Sequence, residues 1–453
     1  MSKNRLTFTL MDMGYKKAGP VQIFDERTCY ENGEIIPFPV QLAIVTHALM
    51  LKDRKHGEIY QSKADSLIDA WTNSTLPSKV NIDCSIACEP LSPFQRSLFD
   101  DLNEVPFPGP ANPKFTFIDL FAGIGGFRMA FQNLGGQCVF SSEWDAQAQK
   151  TYFANYGEVP FGDITSEQTK QYIPDNFDIL CAGFPCQAFS LAGKRLGFEE
   201  TRGTLFFDVA EILRRKQPKA FFLENVKGLA IHDKGKTLKT ILNTIDEIGY
   251  VVPDPQIVNA MYFGVPQHRE RIYIVGFRKD LGITKEDFQY PEQKEVTKHF
   301  IDIREKDPVP SKYYLSTTYV DTLIRHKARH ESKGNGFGYA IVGDNEVANA
   351  IVVGGMGRER NIVIDTRQTD LTPTTRIKGE YNKDGWRRMT PREWGALQGY
   401  PVYDNGDGAP VFQIPVADAS AYKQFGNSVA VPAIQATAQQ LLKVLSDKEI
   451  LSL

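Results

Sequence analysis

The stretch FIDLFAGIGGFR, residues 117–128, places a glycine-rich turn between an apolar run and a helical pattern. FIDLF is typical of a buried strand, and Gly123, Gly125 and Gly126 follow it closely. In doubly wound α/β sheets, small residues at this point let a nucleotide-like ligand approach the backbone at the carboxyl end of the strand. The stretch therefore predicts an α/β fold with a ligand site at that edge of the sheet.

Further apolar runs continue the same pattern: CVFSSEW (138–144), FDILCAGF (177–184), AFFLENV (220–226) and RIYIVGF (271–277). Amphipathic helical patterns at 205–215 and 237–248 separate the later runs. Continuous apolar strands that alternate with helices indicate a doubly wound, mostly parallel sheet covered on both faces. Residues 254–277 contain two strand patterns joined by a turn, so we expect the sheet to end in a hairpin.

The chain divides into segments where this pattern changes. VPFPGPANPK (105–114) is rich in proline, which fixes φ and removes a backbone donor, and it reads as a linker. Residues 277–386 contain short β-like pieces among glycine-rich turns and predict a smaller, β-rich and irregular unit. The expected divisions are an N-terminal extension at 1–113, an α/β part at 114–276, the smaller unit at 277–386, and a mainly helical part at 387–453.

Composition is that of an ordinary globular protein. The 453 residues are 42% hydrophobic and carry a formal net charge of −3. No apolar run approaches the ~20 residues of a membrane span, and the N-terminus lacks a secretory pattern, so we expect a cytoplasmic protein. Cys84 and Cys88 have no second Cys/His pair to complete a metal site, and we predict no bound metal. Cations concentrate at RHKARH (325–330) and GRER (357–360), which suit contact with a nucleic-acid backbone; RHKARH taken alone suits a solvated charged helix face equally well.

GFPCQAFS (183–190) places Cys186 on a rigid loop directly after a strand. That position suits a nucleophile, because thiol reactivity requires access to solvent and thiolate character. Cys181 lies inside the preceding apolar run and is expected to be a buried, inert side chain.

Charged side chains stand at the ends of neighbouring strand patterns. Glu224 ends AFFLENV, and Arg269 and Arg271 alternate in QHRER, so both guanidinium groups can face the same side. A thiol, a carboxylate and two guanidinium groups at one sheet edge indicate a catalytic pocket. Glu143 and Trp144, in SSEWD, suit a ribose diol and an adenine face.

A dinucleotide-binding dehydrogenase is one alternative. AGIGGF does not fit the G-x-G-x-x-G spacing of such enzymes, and a dehydrogenase leaves Cys186 unexplained.

Taken in order, the motifs resemble those of bacterial cytosine-C5 DNA methyltransferases. The resemblance runs from residue 117 to residue 432 and rests on FAGIGG, SEWD, GDI (162–164), GFPCQAFS, ENV, QHRERIYIVG, RMTPREWGALQGYP (388–401) and YKQFGNSVAVP (422–432). It implies an S-adenosylmethionine-dependent methyltransferase sheet, with 277–386 as the target-recognition domain. Residues 1–113 lie outside the region that the family shares.

The resemblance also implies roles for individual residues. Cys186 would attack C6 of the cytosine, Glu224 would hold its N3 and N4 edge, and Arg269 would bind its carbonyl oxygen with Arg271 in support. Gln187 and Ser190 would contact DNA around the extruded base. The residues implied for the methyl donor are Phe121, Ala122, Gly123, Gly125, Gly126, Glu143, Trp144, Asp163, Ile164, Leu205 and Asn427. The position of Asn427 implies that 114–276 and 387–453 form one discontinuous domain.

Duplex DNA is the implied partner, together with a restriction endonuclease that cuts the same sequence, and we expect a monomer. Arg358, Arg360 and Arg376 are expected DNA contacts, since guanidinium groups pair with guanine or with phosphate; the sequence leaves both open. A tRNA cytosine methyltransferase and an inactive DNA-binding regulator are the remaining alternatives. The large segment 277–386 disfavours a tRNA methyltransferase. The presence of Cys186, Glu224 and Arg269 together disfavours an inactive regulator.

Overall fold

A mixed seven-stranded sheet forms the centre of the molecule. The computed structural model describes residues 29–31, 34–51, 55–72, 80–81, 105–185, 205–336, 338–354, 357–368 and 380–452. The strands are β1 (Cys29–Glu31), β2 (Glu34–Ile36), β3 (Val80–Asn81), β4 (Phe115–Leu120), β5 (Gly136–Ser142), β6 (Ile179–Gly183), β7 (Ala220–Val226), β8 (Tyr250–Val251), β9 (Gln256–Asn259), β10 (Gln267–His268), β11 (Glu270–Arg278), β12 (Ala348–Asn349), β13 (Ile362–Ile364) and β14 (Trp386–Arg388). The helices are α1 (Phe38–Met50), α2 (Glu58–Thr72), α3 (Gly126–Gln132), α4 (Ala146–Tyr156), α5 (Glu167–Lys170), α6 (Leu205–Lys216), α7 (Lys236–Glu247), α8 (Thr317–Glu331), α9 (Pro391–Leu397), α10 (Asp418–Asn427) and α11 (Val431–Asp447).

The central sheet has the order β5-β4-β6-β7-β11-β8, and β9 also pairs with β11. β4 is parallel to β5 and β6, and β6 is parallel to β7. β11 is antiparallel to β7, β8 and β9. The predicted doubly wound sheet is therefore confirmed, and so is the hairpin at its end, because the two strand patterns of residues 254–277 pair with each other.

Helices cover both faces of this sheet, because successive side chains of a strand point to opposite sides. In β4, Phe117 belongs to the buried cluster with α3, α4 and α11, whereas Ile118 belongs to the cluster with α6 and α7. Helix α11 follows the sheet in sequence by more than 150 residues, yet it packs on α3. Among the helices of the described ranges, none is long and apolar enough to cross a bilayer.

The N-terminal extension contributes to the core of the sheet. Helices α1 and α2 bury Leu42, Ile44 and Leu67 in the same cluster as Ile118 and Phe140. The proline-rich segment expected to be a linker is also ordered against the sheet domain, since the Phe107 N–H donates to the Asn155 carbonyl over 3.0 Å. The described helices of the extension therefore pack on this face of the sheet, at its edge strand β5.

The smaller unit at 277–386 contains more helix than the sequence suggested. α8 extends over 15 residues, whereas β12, β13 and β14 have two or three residues each. Its own apolar cluster is small and centres on Leu315, Leu323 and Ile362. The cationic residues of RHKARH lie on α8 and form part of its polar face. The expectation of a β-rich unit was thus only partly right, since the longest regular element is a helix.

A buried ion pair connects α3 to the segment after α4. Arg128 and Glu158 are both fully buried, with 2.9 Å between Nη2 and Oε1. Arg128 also donates to the Tyr152 hydroxyl over 3.0 Å. His47 of α1 lies beside the pair, its Nε2 3.7 Å from Glu158 Oε2. Burial lowers the pKa of His47, which favours the neutral ring, so Glu158 balances the charge of Arg128.

We expect Glu158→Gln to lower the free energy of unfolding by about 3–5 kcal/mol, because it leaves the Arg128 charge buried without a counter-charge. Urea denaturation measures the loss. Asp246→Asn is the control, because Asp246 and Lys279 form an exposed pair and an exposed pair contributes about 1 kcal/mol or less. Equal losses in the two variants would contradict the prediction.

Candidate active site

The glycine-rich turn after β4 leaves space at the carboxyl end of the sheet. Gly123 has φ +56°, and a Cβ added to it would meet no heavy atom of the described residues within 4 Å. A Cβ on Gly126 would instead lie 2.6 Å from Val429, so this glycine allows the C-terminal part to approach α3. Phe121 and Ala122, also expected at this site, form the first part of the turn; the Ala122 N–H donates to the Ser142 carbonyl. An open surface thus lies directly above the turn.

Glu143 fixes the turn from the end of the neighbouring strand β5. Its Oε2 accepts from the Gly123 N–H over 2.8 Å and its Oε1 accepts from the Asp145 N–H over 2.7 Å. Glu143 is nearly buried, and burial raises the pKa of its carboxyl, although these amide hydrogen bonds oppose the rise. Trp144, the next residue, is 79% exposed and presents its ring to solvent. The edge thus combines a fixed carboxylate with a free aromatic face.

Residues 161–164 continue this edge. The Glu143 N–H donates to the Phe161 carbonyl, and the Phe161 N–H donates to the Ser141 carbonyl, both over 2.8 Å. Asp163 is exposed, whereas Ile164 is buried in the core. The two residues expected around the adenine are therefore held against the strand that carries Glu143.

Two expected donor residues come from more distant parts of the chain. Leu205 is the half-buried first residue of α6, and Asn427 is the exposed last residue of α10. Helix α10 docks beside Trp144, because Lys423 Nζ lies 2.5 Å from Asp145 Oδ2. Gln424 accepts from the Thr151 hydroxyl over 2.9 Å. These contacts bring the end of α10 to the edge that holds Glu143.

Glu224 lies opposite Gly183 in the parallel pair β6 and β7. It is 8% exposed, and a Cβ on Gly183 would lie 3.7 Å from its Oε2. Arg271 Nε is 3.1 Å from Glu224 Oε1. Burial raises the pKa of the Glu224 carboxyl, and the charges of Arg271 and Arg269 oppose that rise.

Arg269 is held differently from Arg271. It is 2% exposed, and its terminal nitrogens donate to the carbonyl oxygens of Ile351 (3.0 Å) and Ser428 (2.6 Å). Its Nε has no hydrogen-bond partner within the described ranges. The expected contact of Arg269 with a base stays a prediction, and the pairing of Arg271 with Glu224 fits its expected supporting role.

Cys186, Gln187, Ser190 and Arg376 lie outside the described residues. The structure does describe the approach to Cys186. The Asn225 side chain donates to the Phe184 carbonyl over 2.8 Å, which fixes the backbone two positions before the cysteine. Cys181 is fully buried and burial raises the pKa of its thiol, as its place in the apolar run predicted.

Arg358 and Arg360 are exposed in the smaller unit. The Arg358 guanidinium lies 5.4 Å from the centre of the Tyr422 ring. Arg358 also lines a cavity of about 520 Å³ between the smaller unit and α10, together with Lys312 and Arg388. The structure does not bring these arginines into contact with Glu224.

Sequence reasoning missed two side chains at this edge. Asn225 is the middle residue of the ENV motif, in which the sequence predicted a role for Glu224 alone. Asp119 is a carboxylate inside the apolar run FIDLF, which is an unusual place for a charge. It is 1% exposed; its Oδ2 accepts from the Arg128 N–H over 3.3 Å, and its Oδ1 has no partner in the described part of the chain. Burial raises the pKa of Asp119 to about 8.

Comparison with known proteins places this arrangement in a family. A family model described as C-5 cytosine-specific DNA methylase matches residues 115–443. Type II methyltransferase M.HpaII of Haemophilus parainfluenzae is 70% identical over 335 residues, which are 74% of this chain and 91% of that protein. Type II methyltransferase M.HhaI of Haemophilus parahaemolyticus is 40% identical over 339 residues, which are 73% of this chain and 95% of that protein.

Solved structures share the fold. The crystal structure of the S. pombe Dnmt2 methyltransferase matches with a TM-score of 0.52 at 19% identity, covering 73% of this chain and 99% of that chain. The Entamoeba histolytica methyltransferase EhMeth matches with a TM-score of 0.53, also at 19% identity, over 74% of this chain and 99% of that chain. At this identity the likeness extends to the fold alone.

Asp119 makes the stability depend on pH. Its pKa is near 8 in the folded chain and ~3.9 in an unfolded one, so the folded protein binds this proton more tightly. The resulting stabilisation is complete below the unfolded pKa and is lost as the pH rises towards 8. We expect Asp119→Asn to gain stability relative to the wild type by up to about 1.4 kcal/mol per pH unit between about pH 5 and pH 7. Urea denaturation across this range tests it.

Asp404→Asn is the control, because it makes the same change from carboxylate to amide at an exposed position. A difference between Asp119→Asn and wild type that stays constant with pH would contradict the prediction.

Proposed function

The chain belongs to the C-5 cytosine-specific DNA methylase family, and from this premise we propose that it methylates C5 of a cytosine in duplex DNA through a covalent Cys186 adduct. S-adenosylmethionine is the proposed methyl donor. The observation that carries the proposal is the site at the ends of β6 and β7. There the buried Glu224 faces Gly183, three positions before Cys186, and Arg271 pairs with its carboxylate.

Cys186 opens the reaction as a nucleophile. Its thiolate bonds to C6 of the cytosine, and the electron pair displaced from the C5–C6 double bond makes C5 nucleophilic. C5 then takes the methyl group as the bond from the methyl carbon to the donor sulfur breaks and leaves a thioether. The C5 proton passes to a base, and the electron pair of the C5–H bond restores the double bond as the Cys186–C6 bond breaks and returns the thiolate. The hydrogen bond from Asn225 to the Phe184 carbonyl supports this role, because it fixes the backbone from which the cysteine loop starts.

Glu224 holds the base and moves a proton. Burial raises the pKa of this carboxyl, which favours a protonated form that donates to cytosine N3 as the adduct develops. Arg271 orients Glu224, and Arg269 would bind the base carbonyl oxygen. Within the described ranges Arg269 Nε has no hydrogen-bond partner, while its terminal nitrogens connect the smaller unit to the C-terminal part through Ile351 and Ser428.

The residues at the ends of β4 and β5 fit the methyl donor. Space above Gly123 suits the methionine part, the Glu143 carboxylate suits the ribose hydroxyls, and the exposed face of Trp144 suits the adenine. Asp163 would accept from the adenine amine, with Ile164, Leu205 and Asn427 closing the pocket. When bound, S-adenosylmethionine supplies the methyl group as an electrophile on a sulfonium centre.

The smaller unit is the proposed target-recognition domain. The catalytic motifs lie outside 277–386, and the unit contacts them through the Ile351 carbonyl, which accepts a hydrogen bond from Arg269. The unit presents Arg358 and Arg360 to solvent. Gln187 and Ser190, which follow Cys186 in the chain, would contact DNA around the extruded base. Arg376 would contact DNA from the smaller unit. The names of the Type II relatives support a place in a restriction-modification system, in which methylation protects a sequence from a partner endonuclease.

We expect Cys186→Ala to abolish methyl transfer and to leave binding of S-adenosylmethionine within about twofold of wild type, because the thiol acts on the base. Tritium transfer to DNA and isothermal titration measure the two quantities. In wild type, a duplex with 5-fluorocytosine at the target should form an adduct that survives denaturation, because fluorine cannot leave as the C5 proton does. Turnover near wild type in the variant, or no adduct with 5-fluorocytosine, would exclude Cys186 as the nucleophile.

We expect residues 277–386, grafted onto a family member with another recognition sequence, to transfer the sequence choice of this chain. Bisulfite mapping of DNA from cells that express the chimera gives the methylated sequence. A matched chimera that exchanges 387–453 instead should keep the sequence choice of its host. The reverse result, in which the first chimera keeps the host's choice, would place recognition outside the smaller unit.

A further inference from the structure

The edge of the sheet beside the proposed adenine pocket has little regular structure of its own. Among the described residues, β5 is the last strand on that side of the sheet, and beyond it Phe161 alone forms a single bridge to Ser142. The helix that follows, α5, has four residues. The segment that carries Asp163 and Ile164 therefore needs support from elsewhere.

The helices α1 and α2, here called the N-terminal helix pair, cover this edge. They share one buried cluster with Val139 and Phe140 of β5 and with Phe161 and Ile164. The His47 ring of α1 lies 4.9 Å from the Phe161 ring, centre to centre. The family match begins at residue 115, so the pair stands outside the shared region.

Two hydroxyl groups connect the pair to the backbone of this edge. The Thr46 hydroxyl of α1 accepts from the Val159 N–H over 3.0 Å and donates to the Leu42 carbonyl of its own helix over 2.8 Å. The Tyr60 hydroxyl of α2 lies 2.9 Å from the Val139 carbonyl and 3.0 Å from the Tyr172 carbonyl. Both hydroxyl groups thus tie the helix pair to backbone groups of β5 and of the segment that follows α4.

A short path leads from these contacts to the proposed donor site. Val159 is two residues before Phe161, whose N–H and carbonyl bond to Ser141 and Glu143. Asp163 follows after two more residues. Residues 159–164 are thus held by α1 on one side and by β5 on the other.

We propose that the N-terminal helix pair positions the adenine end of the S-adenosylmethionine site, with Thr46 and Tyr60 as positioning residues acting through residues 159–164. The proposal rests on the donor site assigned above. It gives the extension a role in donor affinity rather than in base chemistry, because its contacts lead through Val159 and Phe161 to Glu143, and none of them in the described part of the chain leads to Glu224.

Thr46→Val in the full chain tests this role, because valine has the shape of threonine and cannot accept from Val159. We expect the Kd for S-adenosylmethionine, measured by isothermal titration, to rise about threefold to tenfold, as expected for a buried donor left unpaired. In methyl-transfer assays the KM for the donor should rise in parallel, whereas kcat at saturating donor should stay within about twofold. Thr46→Ser keeps the hydroxyl and should bind S-adenosylmethionine with the affinity of the wild type. Tyr60→Phe should weaken donor binding in the same way.

Thr437→Val is the matched control. Thr437 is fully buried on α11, and its hydroxyl bonds only to the Ala433 carbonyl of its own helix among the described residues. It should lower the melting temperature without raising the donor Kd. Glu143→Ala should raise the Kd directly and confirms that the assay reports on this site.

An unchanged Kd in Thr46→Val and Tyr60→Phe, or an equal rise in Thr437→Val, would overturn the proposal. A loss of kcat at unchanged donor Kd would overturn it as well. Wild-type protein that does not bind S-adenosylmethionine would instead refute the proposed function, so the two failures are distinct.

Discussion

Parallel pairing of β5, β4, β6 and β7 places the carboxyl ends of four strands at one edge of the sheet. That constraint brings together side chains that are far apart in sequence, since each strand delivers its last residues to the same place. Gly123 follows β4, Glu143 follows β5, and Glu224 lies opposite Gly183 near the ends of β7 and β6. One half of the edge suits a nucleotide-like donor and the other half suits a base, and both halves share the turn at Gly126, on which Val429 packs.

Buried arginines join the parts of the chain that the sheet alone does not connect. Arg269 bonds to carbonyls of the smaller unit and of the segment after α10. Arg387 is fully buried and bonds to both Glu393 of α9 and Asp365 of the smaller unit. A guanidinium group suits this task because it offers several donors in a fixed plane and remains charged when buried with its partners. The position of the smaller unit thus depends on contacts that include the site residue Arg269 itself.

The sequence predicted elements with a strong apolar period and motifs with a defined spacing. The part expected to be mainly helical, 387–453, contains α9, α10 and α11, and the run FIDLF forms most of β4. The order of strand patterns was enough to predict the doubly wound sheet. The different placement of the two arginines was not predictable, because the partners of Arg269 are backbone carbonyls, which leave no trace in residue type. For the same reason, the sequence of the extension did not predict that the Thr46 hydroxyl accepts a hydrogen bond from the Val159 N–H. For α8 the sequence offered a charged helix face at RHKARH as one of two alternatives, and its full extent was not predicted because its residues are mostly polar and glycines follow it.

The packing of α11 on α3 has a consequence for how the protein is made. A ribosome releases residues 115–278 long before residues 431–447, so the face of the sheet that carries α3 and α4 lacks its last covering helix until almost the whole chain has emerged. Translation that stops before α11 leaves α3 without the helix that packs on it. Incomplete chains therefore expose an apolar face that chaperones and proteases recognise, and a cell does not accumulate a partial enzyme that has the sheet but lacks its C-terminal cover.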